Sequence, residues 1–267
     1  MRESAYGRQV VFYWEGLKGI DDVVITPVAS TLTHTCKEQK EIDAKAKELE
    51  DRAEPLRFNG YLWRFEGVNE TGRKLMLKVS PIRYAEHDAL RRKKLAMERY
   101  PNPLGVTVGQ ETADGYFPLG VQGTGDNREL VLLGSGFIER PKDGTSLEDA
   151  VRRECFSEET SYGGNKFYDA PEFLENNAQV VAITFGSRKD TGVAMRLPLP
   201  VTSREVGLGD EEHSDLLFLP NSPAIVTEVM GNGSYKSIPA TDQLIGFLER
   251  YSSLKETGRL VSAYQHQ

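Results

Sequence analysis

The sequence predicts an α/β protein built on a mixed sheet. Strand-like and helix-like segments interleave along the chain without the strict strand–helix–strand repetition of an all-parallel sheet. Apolar residues make up 39% and charged residues 27%, which is an ordinary globular composition. A chain of 267 residues is long enough for one large domain or two small ones, at about 150 residues per domain.

Charge and cysteine content exclude several classes of protein. Lys and Arg together number 33 against 40 Asp and Glu, giving a formal net charge of −7, which argues against a nucleic-acid partner bound through phosphate neutralisation. The apolar runs fall far short of the ~20 residues of a membrane span, and the N-terminus lacks the apolar core of a signal peptide. Two cysteines, Cys36 and Cys155, cannot form a disulfide framework. We therefore expect a cytoplasmic protein without membrane or nucleic-acid partners, whose oligomeric state the sequence leaves open.

The first part of the chain, residues 1–102, is predicted to be a β-rich α+β region that ends at Pro101-Asn-Pro103. Its predicted elements are strands at Arg8–Tyr13 and Asp22–Thr26, a helix at Lys37–Ala53, a hairpin of Arg57–Phe65 with Leu75–Val79, and a basic helix at about Ala85–Arg99. The run Arg91-Arg92-Lys93-Lys94 on this helix is interpreted as a solvated face, with a site for an anionic substrate as the alternative.

The second part, residues 103–267, alternates β-rich runs with two clear helices. The predicted strands are Gly105–Gln110, Tyr116–Val121, Glu129–Leu133, Val180–Phe185, Val193–Pro198 and Leu216–Leu219. One helix is predicted over Ser146–Thr160 after a loop at 134–145. The other runs over Thr241–Leu254, where Leu244, Phe247, Leu248 and Tyr251 form one apolar stripe.

The segment that carries chemistry is 134–160. Gly134 and Gly136 would let a loop backbone approach a phosphate closely, and Ser146 stands where a helix N-cap belongs. On the helix that follows, Glu154 and Glu158 are four residues apart and share a face, and Glu159 lies about 100° further round.

Carboxylates beside a glycine-rich loop are the hard oxygen ligands that Mg²⁺ requires, with Mn²⁺ as an alternative ion. Arg153 could orient one of them by a bidentate ion pair. The competing interpretation is a solvated helix surface with ordinary charge pairs. The order of strand, Gly-x-Gly loop and capped helix ending in Arg-Glu and Glu-Glu favours the metal site.

This order resembles the Nudix box, the signature of the Nudix hydrolases. Gly136-Phe-Ile-Glu139 is similar to its opening, Ala150-Val-Arg-Arg-Glu154 to its middle and Glu158-Glu159-Thr160 to its end. The closing Glu-Glu pair comes one residue later than in the family pattern. Either Glu154 and Glu158 form a reduced metal set, or a helix bulge restores all three carboxylates.

Shorter islands resemble the branch of this superfamily that hydrolyses UDP-glucose and UDP-galactose. They are Leu75–His87, Asn102–Val106, Thr112–Asp114 and Glu211–Leu219. The resemblance implies a Nudix-type α/β/α sandwich after a smaller N-terminal extension, and cleavage of a UDP-sugar to UMP and sugar 1-phosphate.

The resemblance also implies roles for individual residues. Glu154, Glu158, Glu212 and Arg153 are the expected catalytic residues, and Glu154, Glu158 and Glu159 the expected metal ligands. Gly134, Gly136, Tyr84 and His213 are the expected contacts to a small nucleoside diphosphate substrate. The alternatives are a hydrolase of ADP-ribose or a dinucleotide, and an inactive Nudix-fold module that binds a nucleotide or a protein. Glu212 and His213 could also belong to an ordinary exposed turn.

Overall fold

The structure is a computed structural model that describes residues 2–6, 9–13, 17–51, 60–95, 97–158, 160–164, 166–170, 172–186, 190–209 and 212–260. The helices are α1 (Cys36–Glu50), α2 (Tyr84–Leu90), α3 (Arg140–Asp143), α4 (Leu147–Arg152), α5 (Phe173–Asn177), α6 (Pro223–Asn232) and α7 (Asp242–Glu256). The strands are β1 (Arg2–Tyr6), β2 (Gln9–Tyr13), β3 (Lys18–Gly19), β4 (Val23–Pro27), β5 (Tyr61–Thr71), β6 (Lys74–Arg83), β7 (Leu104–Glu111), β8 (Tyr116–Gln122), β9 (Glu129–Leu132), β10 (Ser135–Phe137), β11 (Thr160–Ser161), β12 (Gln179–Phe185), β13 (Thr191–Pro198), β14 (Gly207–Leu208), β15 (His213–Pro220), β16 (Ser234–Tyr235) and β17 (Ile238–Pro239).

The largest sheet is mixed, as the sequence predicts. Its strands run in the order β1-β2-β12-β13-β7-β10, and β3 also pairs with β12. β13 and β7 are parallel, with Val193 opposite Val106, whereas the other pairs in this sheet are antiparallel. The α/β class is therefore confirmed.

Helical segments cover both faces of this sheet. Val193 and Met195 of β13 pack in one core with Val151 of α4, whereas Ala194 between them packs in a second core with Phe247 of α7. Because successive side chains of a strand point to opposite faces, α4 and α7 lie on opposite sides of the sheet.

The C-terminal helix follows the predicted apolar stripe. Thr241 caps α7 by accepting a hydrogen bond from the backbone N–H of Leu244 at 3.4 Å. The four stripe residues are buried: Leu244, Phe247, Leu248 and Tyr251. A Cβ at Gly109 of β7 would overlap the Phe247 ring, so the glycine allows the helix to pack close to the sheet.

The N-terminal part forms a second sheet in the order β4-β6-β5, together with α1 and α2. The predicted hairpin is confirmed, since β5 and β6 pair from Tyr61↔Arg83 to Thr71↔Lys74. The predicted helix over 85–99 is wrong in its extent, because α2 ends at Leu90 and the basic run follows it. The helix predicted over Lys37–Ala53 is observed as α1, and residues 52 and 53 at its predicted end lie outside the described residues.

Strands from both sides of Pro101–Pro103 share the large sheet. β2 and β3 pair with β12, so this sheet contains strands of the predicted N-terminal region and of the C-terminal region. The division at residue 102 stays a prediction.

Three further segments differ from the predictions. The expected loop at 134–145 contains β10 and α3, and α6 occupies a stretch for which no element was predicted. His213, expected in a loop, is the first residue of β15. Over the described ranges, no helix combines the length and the apolar content needed to cross a membrane.

Candidate active site

The site is built where β10 meets the helix that begins at Ser146. Ser146 caps α4 by accepting a hydrogen bond from the Asp149 backbone N–H at 3.0 Å, as predicted. β10 pairs with β7 through Gly136↔Val106. This arrangement brings the last turns of the helix over the edge of the large sheet.

Arg153 is the most heavily bonded side chain at this junction. Its guanidinium donates to both carboxylate oxygens of Asp143, at 3.0 and 2.8 Å, and to the Phe137 carbonyl at 2.7 Å. It also donates to Glu154 Oε1 at 2.5 Å, and Glu139 Oε1 lies 3.7 Å away. The predicted role of Arg153 in fixing a carboxylate is thus matched by its contacts, although its bidentate partner is Asp143.

Glu154 lies directly against Gly136. Glu154 is only 5% exposed, and a Cβ at Gly136 would overlap its carboxylate group. Gly136 is therefore required for close approach of the Glu154 side chain, and its predicted contact with a phosphate remains untested.

The backbone changes from α-helix to π-helix at Arg153 and stays π-helical to Glu158. A π-helix bonds residue i to residue i+5 and so takes one more residue into the turn. Tyr162 stabilises this turn, because its hydroxyl lies 3.0 Å from the Cys155 carbonyl, within hydrogen-bonding distance, and also contacts Gln110 Oε1. The sequence left open a helix bulge at this point, and the backbone has one. The side chain of Glu158 and the whole of Glu159 lie outside the described residues.

A cleft of about 1150 Å³ opens over this junction. Five of the predicted site residues line it: Tyr84, Gly136, Arg153, Glu154 and Glu212. Residues far apart in the sequence thus meet in one cavity, which is larger than the ~300–1,000 Å³ of a typical small-molecule site.

Two predicted substrate contacts are placed differently. Gly134 has a φ of +89°, and a Cβ there would overlap Cys155 Sγ, so backbone conformation and packing account for this glycine. Cys155 is fully buried, as expected of a small apolar residue. His213 is 6% exposed with its ring packed against Gly120, and neither it nor Gly134 is among the described residues that line the cleft.

Aromatic and basic residues of the N-terminal part also line the cleft. Tyr84 and His87 contact Phe137 at ring-centroid distances of 6.4 and 5.4 Å, and His87 is 2% exposed, in keeping with a packing role. Arg91 and Arg92 also line the cleft. Arg92 is exposed and Arg91 is partly exposed, so the interpretation as a solvated face stays a prediction, and their place in the cleft lining supports the alternative of an anion site.

Sequence reasoning missed two carboxylates of the site. Asp143 is 4% exposed and also accepts a hydrogen bond from the Glu139 backbone N–H at 2.8 Å. Its position, ten residues before Arg153, gives no periodic signal. Glu139 lines the cleft and was quoted only as part of the motif, although its spacing of three residues after Gly136 could have identified it.

The described residues contain no group of three or more His, Cys, Asp or Glu side chains placed to hold a metal ion. Two of the three predicted ligands, Glu158 and Glu159, fall outside the described side chains, so the predicted Mg²⁺ set is not tested. No family model and no curated protein sequence matches this chain.

Proposed function

We propose that the chain is a Mg²⁺-dependent diphosphatase of the Nudix type, which hydrolyses a nucleoside diphosphate linked to a second moiety. A UDP-sugar, cleaved to UMP and sugar 1-phosphate, is the substrate class that the sequence resemblance favours. The observation that carries the proposal is the π-helical turn, because it falls where the sequence has one residue more than the family motif.

The π-turn removes the main objection to a working metal site. In an α-helix, residues at i+3 and i+4 bracket residue i on one face. A turn that takes in one more residue gives the same relation to residues at i+4 and i+5. Glu158 and Glu159 stand at these positions relative to Glu154, so the late pair is expected to return to the face of Glu154.

The chemistry of the site suits the proposed ion. Glutamate carboxylates are hard oxygen donors, and Mg²⁺ is commonly held by one or two of them together with water and substrate phosphate. Glu154 is buried beneath the cleft and fixed on one side by Arg153. Glu154, Glu158 and Glu159 would hold the ion. When bound, Mg²⁺ would neutralise diphosphate charge and lower the pKa of a water ligand.

The remaining residues have proposed roles around the diphosphate. Arg153, anchored by Asp143, keeps the Glu154 carboxylate in one orientation. Glu212 lines the cleft and is our candidate to accept a proton from the attacking water. Tyr84 offers its ring to a base or sugar. Contacts of His213 and Gly134 with the substrate remain predictions from the sequence.

A ³¹P NMR time course tests the reaction and its substrate class together. The substrates are UDP-glucose, UDP-galactose, ADP-ribose and diadenosine tetraphosphate, each with Mg²⁺ and with EDTA. We expect a UDP-sugar to give two phosphomonoester signals with Mg²⁺ and none with EDTA. Turnover that persists in EDTA would contradict the metal-dependent mechanism.

The other outcomes separate the alternatives. Turnover of ADP-ribose or diadenosine tetraphosphate alone would keep the mechanism and overturn the UDP-sugar assignment. Saturable binding of a nucleotide without any product would favour the inactive-module alternative.

A further inference from the structure

The cleft is lined by charges of both signs, in two sets that come from different parts of the chain. Its basic wall, from the N-terminal part, consists of Lys45 on α1 and of Arg91 and Arg92 directly after α2. Its acidic wall carries Glu139, Glu154 and Glu212. The proposed metal chemistry uses the acidic wall and leaves the three cations without a role.

The basic wall keeps an excess of positive charge. Two carboxylates serve this wall: Asp88 binds Lys45 Nζ at 2.9 Å and Arg91 Nη2 at 2.9 Å, and Glu48 binds Lys45 Nζ at 3.1 Å. Burial raises the pKa of Asp88, but the hydrogen bond from Lys45 and the charge of Arg91 outweigh it, so the pKa lies below its ordinary value. The hydrogen bond with Asp88 likewise raises the pKa of Lys45. The three cations of the basic wall thus outnumber the two carboxylates that pair with them.

Two guanidinium groups have unused donors. Arg92 is exposed at the cleft, and it makes no hydrogen bond or ion pair with any residue in the described part of the chain. The Nε of Arg91 is buried and has no acceptor among the described residues. A buried donor without an acceptor is costly, and a guanidinium presents a fork of donors that fits a carboxylate or a phosphate.

We propose that the substrate carries an anionic group in addition to its diphosphate, a carboxylate or a phosphate, and that Arg92 binds it with help from Arg91 and Lys45. This inference rests on the proposed function, because the acidic wall is assigned there to the metal and the diphosphate. A site for the diphosphate alone would have no use for a separate set of cations contributed by the N-terminal part. The cleft volume of about 1150 Å³ leaves room for a nucleotide with a charged second group.

Matched pairs of substrates test the additional anion. UDP-glucuronate differs from UDP-glucose by a carboxylate on the sugar, and ADP-ribose 2′-phosphate differs from ADP-ribose by a phosphate on the nucleotide. We expect the charged member of at least one pair to have a kcat/KM about tenfold higher, as a charge-assisted hydrogen bond would give. The pair that shows the preference identifies which part of the substrate carries the anion.

Variants of the basic run assign the preference to Arg92. Arg92→Gln should abolish it, and Arg92→Lys should keep part of it. Lys94→Gln removes an exposed charge of the same run that does not line the cleft, and it should leave the preference unchanged. A uniform loss for all four substrates in Arg92→Gln would overturn the inference, because the arginine would then serve the diphosphate.

Equilibrium binding of the same four compounds in EDTA separates this inference from the proposed function. If no compound is hydrolysed with Mg²⁺, the proposed function fails. The anion site still stands if the charged member of a pair binds about tenfold more tightly than the uncharged member and Arg92→Gln removes this difference. Turnover or binding without a preference in either pair would overturn the anion site.

Discussion

At the scale of single residues, the close approach of Glu154 to Gly136 is the contact that bears most on the proposed site. Any Cβ at Gly136 would overlap the Glu154 carboxylate, although the backbone of Gly136 does not need a positive φ. The position of the Glu154 side chain therefore accounts for this glycine.

Gly136→Ala should impair activity far more than stability. The carboxylate has to move away from the new methyl group, and a displacement of about 1 Å at a catalytic group can cost about 100-fold in rate. Mg²⁺-dependent turnover and thermal melting measure the two effects. Gly231→Ala is the matched control, because a Cβ there meets no atom within 4 Å, and it should leave turnover unchanged. Wild-type turnover in Gly136→Ala would contradict the placement of Glu154.

Glu249 on α7 gives a prediction about pH. Burial raises the pKa of its carboxyl group, and Oε2 is buried without a hydrogen-bond partner among the described residues. A carboxyl whose pKa is raised in the folded state stabilises the fold fully below its unfolded-state pKa, and this stabilisation is lost as the pH rises through the folded-state pKa.

Glu249→Gln should therefore raise the Tm at pH 7, and the gain should disappear below the ordinary glutamate pKa of 4.5. Thermal melts across this pH range measure it. Glu256→Gln, at the exposed end of the same helix, should show no such dependence. If the Tm of Glu249→Gln exceeds that of the wild type by the same amount at every pH, removal of the buried charge is not the cause of the increase.

At the scale of single residues, the sequence predicted correctly the features that depend only on neighbours along the chain. Ser146 caps its helix as expected, since capping depends only on neighbours three residues away, and the helix predicted to start at Thr241 has that residue as its N-cap. Asp143 was missed because its partner Arg153 is brought to it by the fold of 140–152. His213 was expected to contact the substrate or to lie in an exposed turn. Its ring instead packs against Gly120 of the neighbouring strand β8, and no local sequence pattern indicates this contact.

At the scale of elements, the proposed metal site depends most on the π-helical segment 153–158. From the sequence, the π-turn could be stated only as one of two alternatives. The contacts that favour it come from residues outside the helix. Tyr162 and Gln110 supply them, through the hydroxyl that bonds the Cys155 carbonyl.

Deleting Ser157 should leave most of the activity in place. The shortened turn can return to α-helical spacing, and Glu158 and Glu159 then keep their relation to Glu154. We expect kcat/KM within a few-fold of the wild type. Inserting an alanine after Ser157 is the contrasting variant and should abolish turnover, because one more residue rotates the two glutamates off the face. Loss of activity in the deletion would contradict the role assigned to the π-turn.

Strong periodicity made α7 predictable, whereas α6 was overlooked. Ser222 as N-cap, Pro223 at the first position and Gly233 at the C-cap were all present as local signals for α6. α6 is short and lacks a long apolar stripe, so those signals stood alone. The predicted helix was too long because Arg and Lys favour helices in general, whereas α2 ends at Leu90.

At the scale of the whole molecule, the two parts of the chain depend on each other. β2 and β3 cover part of β12, and one hydrophobic core contains Phe65 and Val79 together with Val106 and Val193. The sequence could not predict this, because the β-rich runs carry no information on which strand each will pair with.

We expect residues 103–267 produced alone to lack a cooperative thermal transition. Without residues 1–102, β12 loses its partners on one side and becomes an exposed edge that favours aggregation. Circular dichroism melts and size-exclusion chromatography of the fragment and the full chain measure this. A monomeric fragment that melts cooperatively at the full-chain Tm would show instead that residues 103–267 form an independent domain.

The most direct test of the metal-dependent mechanism is the Mg²⁺-dependent rate of the best UDP-sugar substrate in Glu158→Ala, compared with Glu148→Ala. Glu148 lies on the same helix and pairs with Arg152 at 2.8 Å, so its loss controls for the removal of a helix carboxylate. We predict that Glu158→Ala lowers kcat/KM by about 100-fold or more, the scale of losing one preorganised electrostatic group, whereas Glu148→Ala stays near the wild type. Full activity of Glu158→Ala would contradict the assignment.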